Sequence, residues 1–229
     1  MLFLGIDTSG KSGGVTLAEG DPRSFRILGF SPIAGGTFSA QLVPTIARLL
    51  ESYGKSLSDV AGFAVASGPG SFTGLRVGLS AVKGLAEVLA KPIATVSLLE
   101  ALAIAPGRTG RIAAALDAGR SEIFFGLYEV SATRAALISE SLLSRGQFQE
   151  QLRGDLQLLV TSDSSVAQMA RGAASPVPVE VADRPDSSLI ARVGLKKLLH
   201  GETVSIEALD ANYIRRSDAE IFSRPKVQP

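Results

Sequence analysis

Apolar positions along the chain fall into two rhythms. Short, nearly unbroken apolar runs at residues 2–6, 15–18, 61–66 and 93–96 have the length and composition of buried strands. Between them the period changes. Leu42, Val43, Ile46, Leu49, Leu50 and Tyr53 recur at helical spacing over residues 39–53, on an apolar face wider than one sheet contact requires. Pro44 falls early in this helix, so an irregular first turn is expected, and Gly54 supplies a stop. Leu75, Leu79, Val82, Ala86 and Leu89 mark a second helix, which ends before Lys91-Pro92. Residues 23–30 read as a third strand, and Ser97 caps a helix over residues 98–104.

The remainder repeats this order more weakly. Strands are expected at residues 111–117, 123–128, 137–143, 156–160 and 177–181. Helices are expected at 147–152, 164–170 and 187–199. Ile6-Asp7-Thr8-Ser9 and Leu116-Asp117-Ala118-Gly119 each place an aspartate at the end of an apolar strand, ahead of a polar turn. The offset of about 110 residues is one domain's worth. The pattern therefore predicts two stacked α/β halves with a cleft between them: residues 1–107, and residues 108–229 with a locally basic tail.

Residues 61–89 organise the first half as strand, glycine loop and helix. Gly68-Pro69-Gly70 marks the turn, and Ser71 is a natural N-cap. Gly74, Gly78 and Gly84 lie inside the helix, where each costs about 1 kcal/mol relative to alanine. Gly74 and Gly78 share a face and leave a shallow groove. Either the helix packs closely on its own sheet there, or a partner helix lies in the groove. Arg76 stands near the helix start, where the dipole disfavours a cation. It pairs with a carboxylate, or it completes an anion site with the N–H groups of Gly68, Gly70, Ser71 and Thr73. The loop is neither a Walker motif nor GxGxxG.

Composition narrows the chemistry. With no cysteine, thiol nucleophiles, thiolate metal sites and disulfides are excluded. The single histidine, His200, sits at a helix end beside two lysines and cannot build a histidine-pair metal site. A net charge of +1 argues against broad capture of nucleic acid. No basic leader precedes Asp7, and no apolar run nears the ~20 residues that span a bilayer, so a cytoplasmic protein is expected.

A duplicated α/β unit with an aspartate on each first hairpin resembles the actin-like ATPase superfamily (ASKHA, RNase H-like). That resemblance implies a mixed five-stranded sheet in each half, with the hairpins facing each other across a cleft that holds metal and phosphates. Asp7 and Asp117 map onto these positions, and Ser9 lies beside the first; alternatively, each aspartate caps its own turn. The run Ser67-Gly68-Pro69-Gly70-Ser71-Phe72-Thr73-Gly74-Leu75-Arg76-Val77-Gly78, with Asp7-Thr8-Ser9, is more specifically similar to the bacterial TsaB (YeaZ) family. Leu116-Asp117-Ala118-Gly119-Arg120-Ser121-Glu122 and the terminal Tyr213-Ile214-Arg215 extend the likeness over nearly the whole chain.

The resemblance implies a non-catalytic subunit in the synthesis of threonylcarbamoyladenosine at position 37 of tRNA. Its implied partners are the transferase TsaD, the ATPase TsaE and a second copy of itself, with tRNA reached only through the complex. It implies no metal and no cofactor of its own; ATP or ADP with Mg²⁺ would sit only at an interface shared with the partner. The family pairs its first two helices with the other subunit, which here assigns Leu42, Ile46, Leu49, Tyr53, Gly74, Leu75, Gly78 and Val82 to the interface. The chain departs from the family at Thr37-Phe38-Ser39, where a histidine is usual, at Ala211, where proline is common, and at Thr161-Ser162-Asp163-Ser164, where a glycine-aspartate-glycine turn is usual. The last departure argues against ATP in the cleft. The competing readings are an ATP-dependent phosphotransferase using Asp7 and Asp117, and a peptidase, for which no Ser–His–Asp spacing is visible.

Overall fold

A computed structural model of the protein describes residues 1–132, 134–173 and 177–214. The first half runs β1 (Leu2–Asp7), β2 (Ser12–Gly20), β3 (Phe25–Ala34), α1 (Phe38–Ser52), β4 (Val60–Gly68), α2 (Phe72–Leu89), β5 (Ile93–Ser97) and α3 (Leu98–Ile104). The second runs β6 (Gly110–Gly119), β7 (Glu122–Val130), β8 (Ala135–Ser144), α4 (Arg145–Gln151), β9 (Leu158–Thr161), α5 (Ser164–Arg171), β10 (Val179–Val181) and α6 (Ser187–Leu199). The order of elements repeats, as the apolar pattern predicts.

Each half forms one mixed five-stranded sheet, ordered β3-β2-β1-β4-β5 in the first and β8-β7-β6-β9-β10 in the second. The hairpin pairs are antiparallel and the crossover pairs parallel in both sheets. β1 and β6 are central and covered on both faces, which is why they read as continuous apolar runs and not as alternating ones.

The layers follow from which residues share a core. Leu4, Ile6, Val15 and Leu17 face Leu42, Ile46 and Leu50 of α1 and Leu75, Leu79 and Val82 of α2. On the second sheet Ala113, Ala115, Phe125 and Leu159 face Phe148 of α4 and Val166 of α5. Between the sheets lie α3 and α6, in one apolar cluster that takes Ala64, Ala66 and Val96 from the first sheet and Ile112, Ala114 and Tyr128 from the second. α6 belongs to the second half in sequence, yet it covers the first sheet: Gly5 lies so close to α6 that a Cβ would collide with Ser187 O and Ala191. Gly194 is held equally tightly against Ala64. α3 packs in turn on β6 and β7 of the second sheet. The boundary between residues 107 and 108 divides the sheets, but the packing crosses it.

Local termini follow the sequence closely. Ser71 Oγ accepts from Gly74 N at 3.2 Å, and Ser97 Oγ accepts from Leu99 N at 3.2 Å. Gly54 follows α1 with φ +61°. One local expectation fails: α1 is continuous from Phe38 through Pro44. Proline removes the bond to the Ala40 carbonyl, but Ala40 is exposed, so water can replace that donor.

Candidate functional site

The turns at the cleft end of both sheets enclose a cavity of about 1360 Å³. Its walls are Ser9–Ser12 after β1, Leu116–Arg120 at the end of β6, Pro69–Leu75 at the start of α2, and Asn212–Ile214 of the terminal segment. Lys11, Arg120 and Arg184 bring positive charge to it, and Asp117 one carboxylate.

The glycine loop builds one wall by close approach. Gly68 has φ +122°, a backbone conformation that favours glycine, and Asn212 passes directly over it. Gly70 lies on Ser9, whose carbonyl accepts from Ser71 N at 2.7 Å. Ser9 Oγ is buried and has no hydrogen-bond partner among the described residues. Gly74 and Gly78 both face Thr8: a Cβ on either would collide with the Thr8 carbonyl or hydroxyl oxygen. The hydroxyl in turn donates to Gly74 O at 2.7 Å. The groove of these two glycines is therefore filled by the chain itself and has no room for a partner helix. Gly84 differs, since a Cβ there would meet nothing within 4 Å.

Arg76 pairs with no carboxylate among the described residues. Its guanidinium lies 3.8 Å from the centroid of the Phe72 ring, and its Nε donates to Tyr213 Oη at 2.9 Å. The Phe72 and Tyr213 rings stand 5.0 Å apart. A cation near a helix start is thus stabilised by aromatic faces and a phenol oxygen in place of a carboxylate. Thr73 and Ser71 are exposed and line the cavity.

The two strand-end aspartates sit in different surroundings. Asp7 is 4 % exposed, lies off the cavity wall and accepts from Ser9 N at 2.8 Å. Burial pushes its carboxyl above the usual carboxylate range, against the lowering effect of Ser9 and Arg184. Asp117 is exposed; its Oδ1 accepts from Gly119 N at 2.8 Å, and its N–H donates to Asp163 Oδ2 at 2.8 Å. Each carboxylate closes its own turn, as aspartate does in an Asx turn. No group of three or more potential metal ligands occurs among the described residues.

The residues assigned to a partner interface separate into two sets. Leu42, Ile46, Leu49, Leu75, Gly78 and Val82 are buried in the chain's own core, as is Gly74, so they have no surface left to offer. Tyr53 is half exposed, its ring laid over Gly29 of β3. The outward faces of α1 and α2 carry different apolar residues. Val43 is 50 % exposed and Val88 85 %, Ala40, Pro44 and Ala47 are exposed, and Val77, Ala81 and Leu85 are partly so. A helical pattern shows how many apolar positions there are, and their number exceeded what one sheet could cover.

Periodicity missed a half-buried polar cluster beside the cavity. Glu140 of β8 accepts from Ser97 Oγ at 2.5 Å, from Tyr128 Oη and from Asn212 Nδ2. Nearby, Lys197 of α6 bridges to Glu100 of α3 at 2.7 Å and donates to Thr95 O at 3.0 Å. Burial raises the Glu100 carboxyl, an effect that Lys197 partly offsets, and it also raises the Tyr128 phenol. The basic residues Arg215, Arg216, Arg224 and Lys226 of the terminal motif and tail lie outside the described residues.

Two central sheets between three helical layers, with paired hairpins at a cleft, define a duplicated actin-like α/β protein. Residues 29–170, more than half of the chain, match the family described as TsaD: tRNA N6-adenosine threonylcarbamoyltransferase. The chain is 37 % identical over 131 residues to the Bacillus subtilis tRNA threonylcarbamoyladenosine biosynthesis protein TsaB, a match covering 56 % of each chain. It is 26 % identical over 190 residues to the Escherichia coli protein of the same name, covering 78 % of this chain and 81 % of that one. Among solved structures, YeaZ from Pseudomonas aeruginosa superposes with a TM-score of 0.71 at 25 % identity, covering 92 % of this chain and all of that one. Within the broader TsaD-type group, the chain belongs to the TsaB (YeaZ) family.

Proposed function

We propose that this chain acts in tRNA threonylcarbamoyladenosine synthesis as a non-catalytic subunit that docks a TsaD-type transferase on the outward faces of α1 and α2. The observation that carries this reading is the apolar surface of those helices. Val43 and Val88 stand half or more exposed, Val77, Ala81 and Leu85 of α2 are partly so, and Gly84 leaves a gap a partner side chain can enter. Scattered exposed apolar residues are ordinary, whereas a contiguous stripe on paired helices suits a helix-on-helix interface. The chemistry of the chain supports the non-catalytic part: one histidine and no cysteine leave little with which to build a transferase metal site, and both strand-end aspartates are engaged in their own turns. The same surface could join two copies of this chain, in competition with the transferase. The ATPase TsaE and tRNA are reached through the assembled complex, and ATP or ADP with Mg²⁺ is assigned to the shared interface, with none held by this chain alone.

The test is Gly84→Arg combined with Val88→Glu, two surface changes that leave the core intact. Sedimentation of the variant with the transferase should show no complex, and tRNA modification by the mixture should fall to the level without this subunit. Retained association with unchanged modification overturns the proposal.

A further inference from the structure

We infer that Glu140, Asn212 and Ser97 form a clasp that sets how wide the cleft stands, with the terminal segment as its movable arm. This inference is independent of partner docking and rests on how residues 204–214 are attached. Up to Ala211 the segment belongs to the first sheet: Val204 N donates to Ile93 O at 2.9 Å, and Leu209 is buried in the core under α1 and α2. Asn212 then crosses. Its backbone N–H donates to Ser67 O of β4 at 2.8 Å, while its side chain donates to Glu140 on β8, the edge strand of the second sheet. Tyr213 follows with its ring on Phe72 and its oxygen on Arg76, and Ile214 reaches the apolar middle layer. Asn212, Tyr213 and Ile214 all line the cavity, so the crossing residues are also its wall.

Glu140 is suited to be the fixed point. One carboxylate has room for several donors, and this one receives Ser97 Oγ from the end of β5, Asn212 from the terminal segment, and Tyr128 from its own sheet. Ser97 is committed in both directions, since its oxygen accepts from Leu99 N as the cap of α3 while its hydrogen goes to Glu140. Much of the remaining contact between the halves is apolar, through Ala, Val, Leu and Ile side chains of the middle layer, and polar links such as Lys197 to Glu100 and Thr16 to Ser187 tie α6 to the first half. Apolar packing of that kind carries no directional bond and allows layers to shear, whereas charge-assisted hydrogen bonds at the cleft end define an angle. Loss of the Asn212 link frees the arm from the second sheet while its anchor on the first remains.

Because the chain has no cysteine, two can be added for spin labels: Glu51→Cys on α1 and Gln149→Cys on α4, exposed positions on the two outer layers. Electron–electron distance measurement on the full chain should give one narrow distribution. Asn212→Ala should move it to longer, broader distances, and Asn212→Asp, which sets a second carboxylate against Glu140, should move it further. Circular dichroism should match the parent in both variants. An unchanged distribution in both overturns the inference. So does an unfolded Asn212→Ala chain, because an arm required for folding is core structure and not a clasp.

Discussion

Asp7 carries a cost that its hydrogen bonds only partly offset. Its carboxyl is buried and its pKa raised, so between the unfolded and folded pKa values the native state holds more protons than the unfolded one. Its contribution to stability is therefore largest when it is protonated, and it is lost as pH rises through the folded pKa. Asp7→Asn keeps an oxygen for Ser9 N and removes the charge. Urea unfolding across pH 4 to 8 should show the variant gaining on the parent as pH rises, with the gap closing in acid. The opposite trend would mean that Arg184 makes the ionised form the favoured one. A strand-end aspartate was legible in the sequence, but its surroundings were not. Arg184 and Asp186, which bear on its charge, come from nearly the other end of the chain. Arg76 illustrates the same limit, since its partner Tyr213 lies 137 positions away. Glu140 sits in a stretch that reads only as a strand until Ser97, Tyr128 and Asn212 are brought to it.

Helices were the most legible elements, because a helical period marks each of them. Helix α6 spans Ser187–Leu199 and α3 spans Leu98–Ile104, the ranges the pattern predicts. What periodicity leaves open is which neighbour each face meets, and the three glycines of α2 make the point. All lie in the interior of one helix and would be equivalent by propensity alone. Gly84→Ala should stabilise the isolated chain by up to about 1 kcal/mol, since the added methyl meets open space. Gly78→Ala should destabilise it by about 1–3 kcal/mol, because the methyl drives into the Thr8 hydroxyl and disturbs its bond to Gly74 O. Thermal melts of the two variants check both signs, and a gain for Gly78→Ala would mean that α2 can shift away from β1. The wide apolar surface of the first two helices was visible as a count of positions. Only the packing divides it into an inner core and an outer stripe.

At the scale of the whole molecule, the repeat was readable as two units and the exchange of covering helices was not. Nothing in a strand's composition names the helix that will lie on it. A fragment of residues 1–107 contains every strand of its sheet but lacks α6, leaving Ala64, Ala66 and Val96 without their cover. Phe3 and Ala18 lose theirs as well. Such a fragment should be aggregated or unfolded by circular dichroism and sedimentation, while the full chain melts in one transition. A soluble fragment with native-like strand content would show that the halves are separable after all.

Seating the last helix on the first sheet also imposes an order on biosynthesis. The opening hairpin leaves the ribosome early, yet one face of it stays bare until Ser187–Leu199 has been made. Compact intermediates with such exposed surface are prone to aggregate as they emerge. The nascent chain must therefore wait, shielded or bound, for a segment near its carboxyl end, and a premature stop anywhere before that segment yields a product for the proteases.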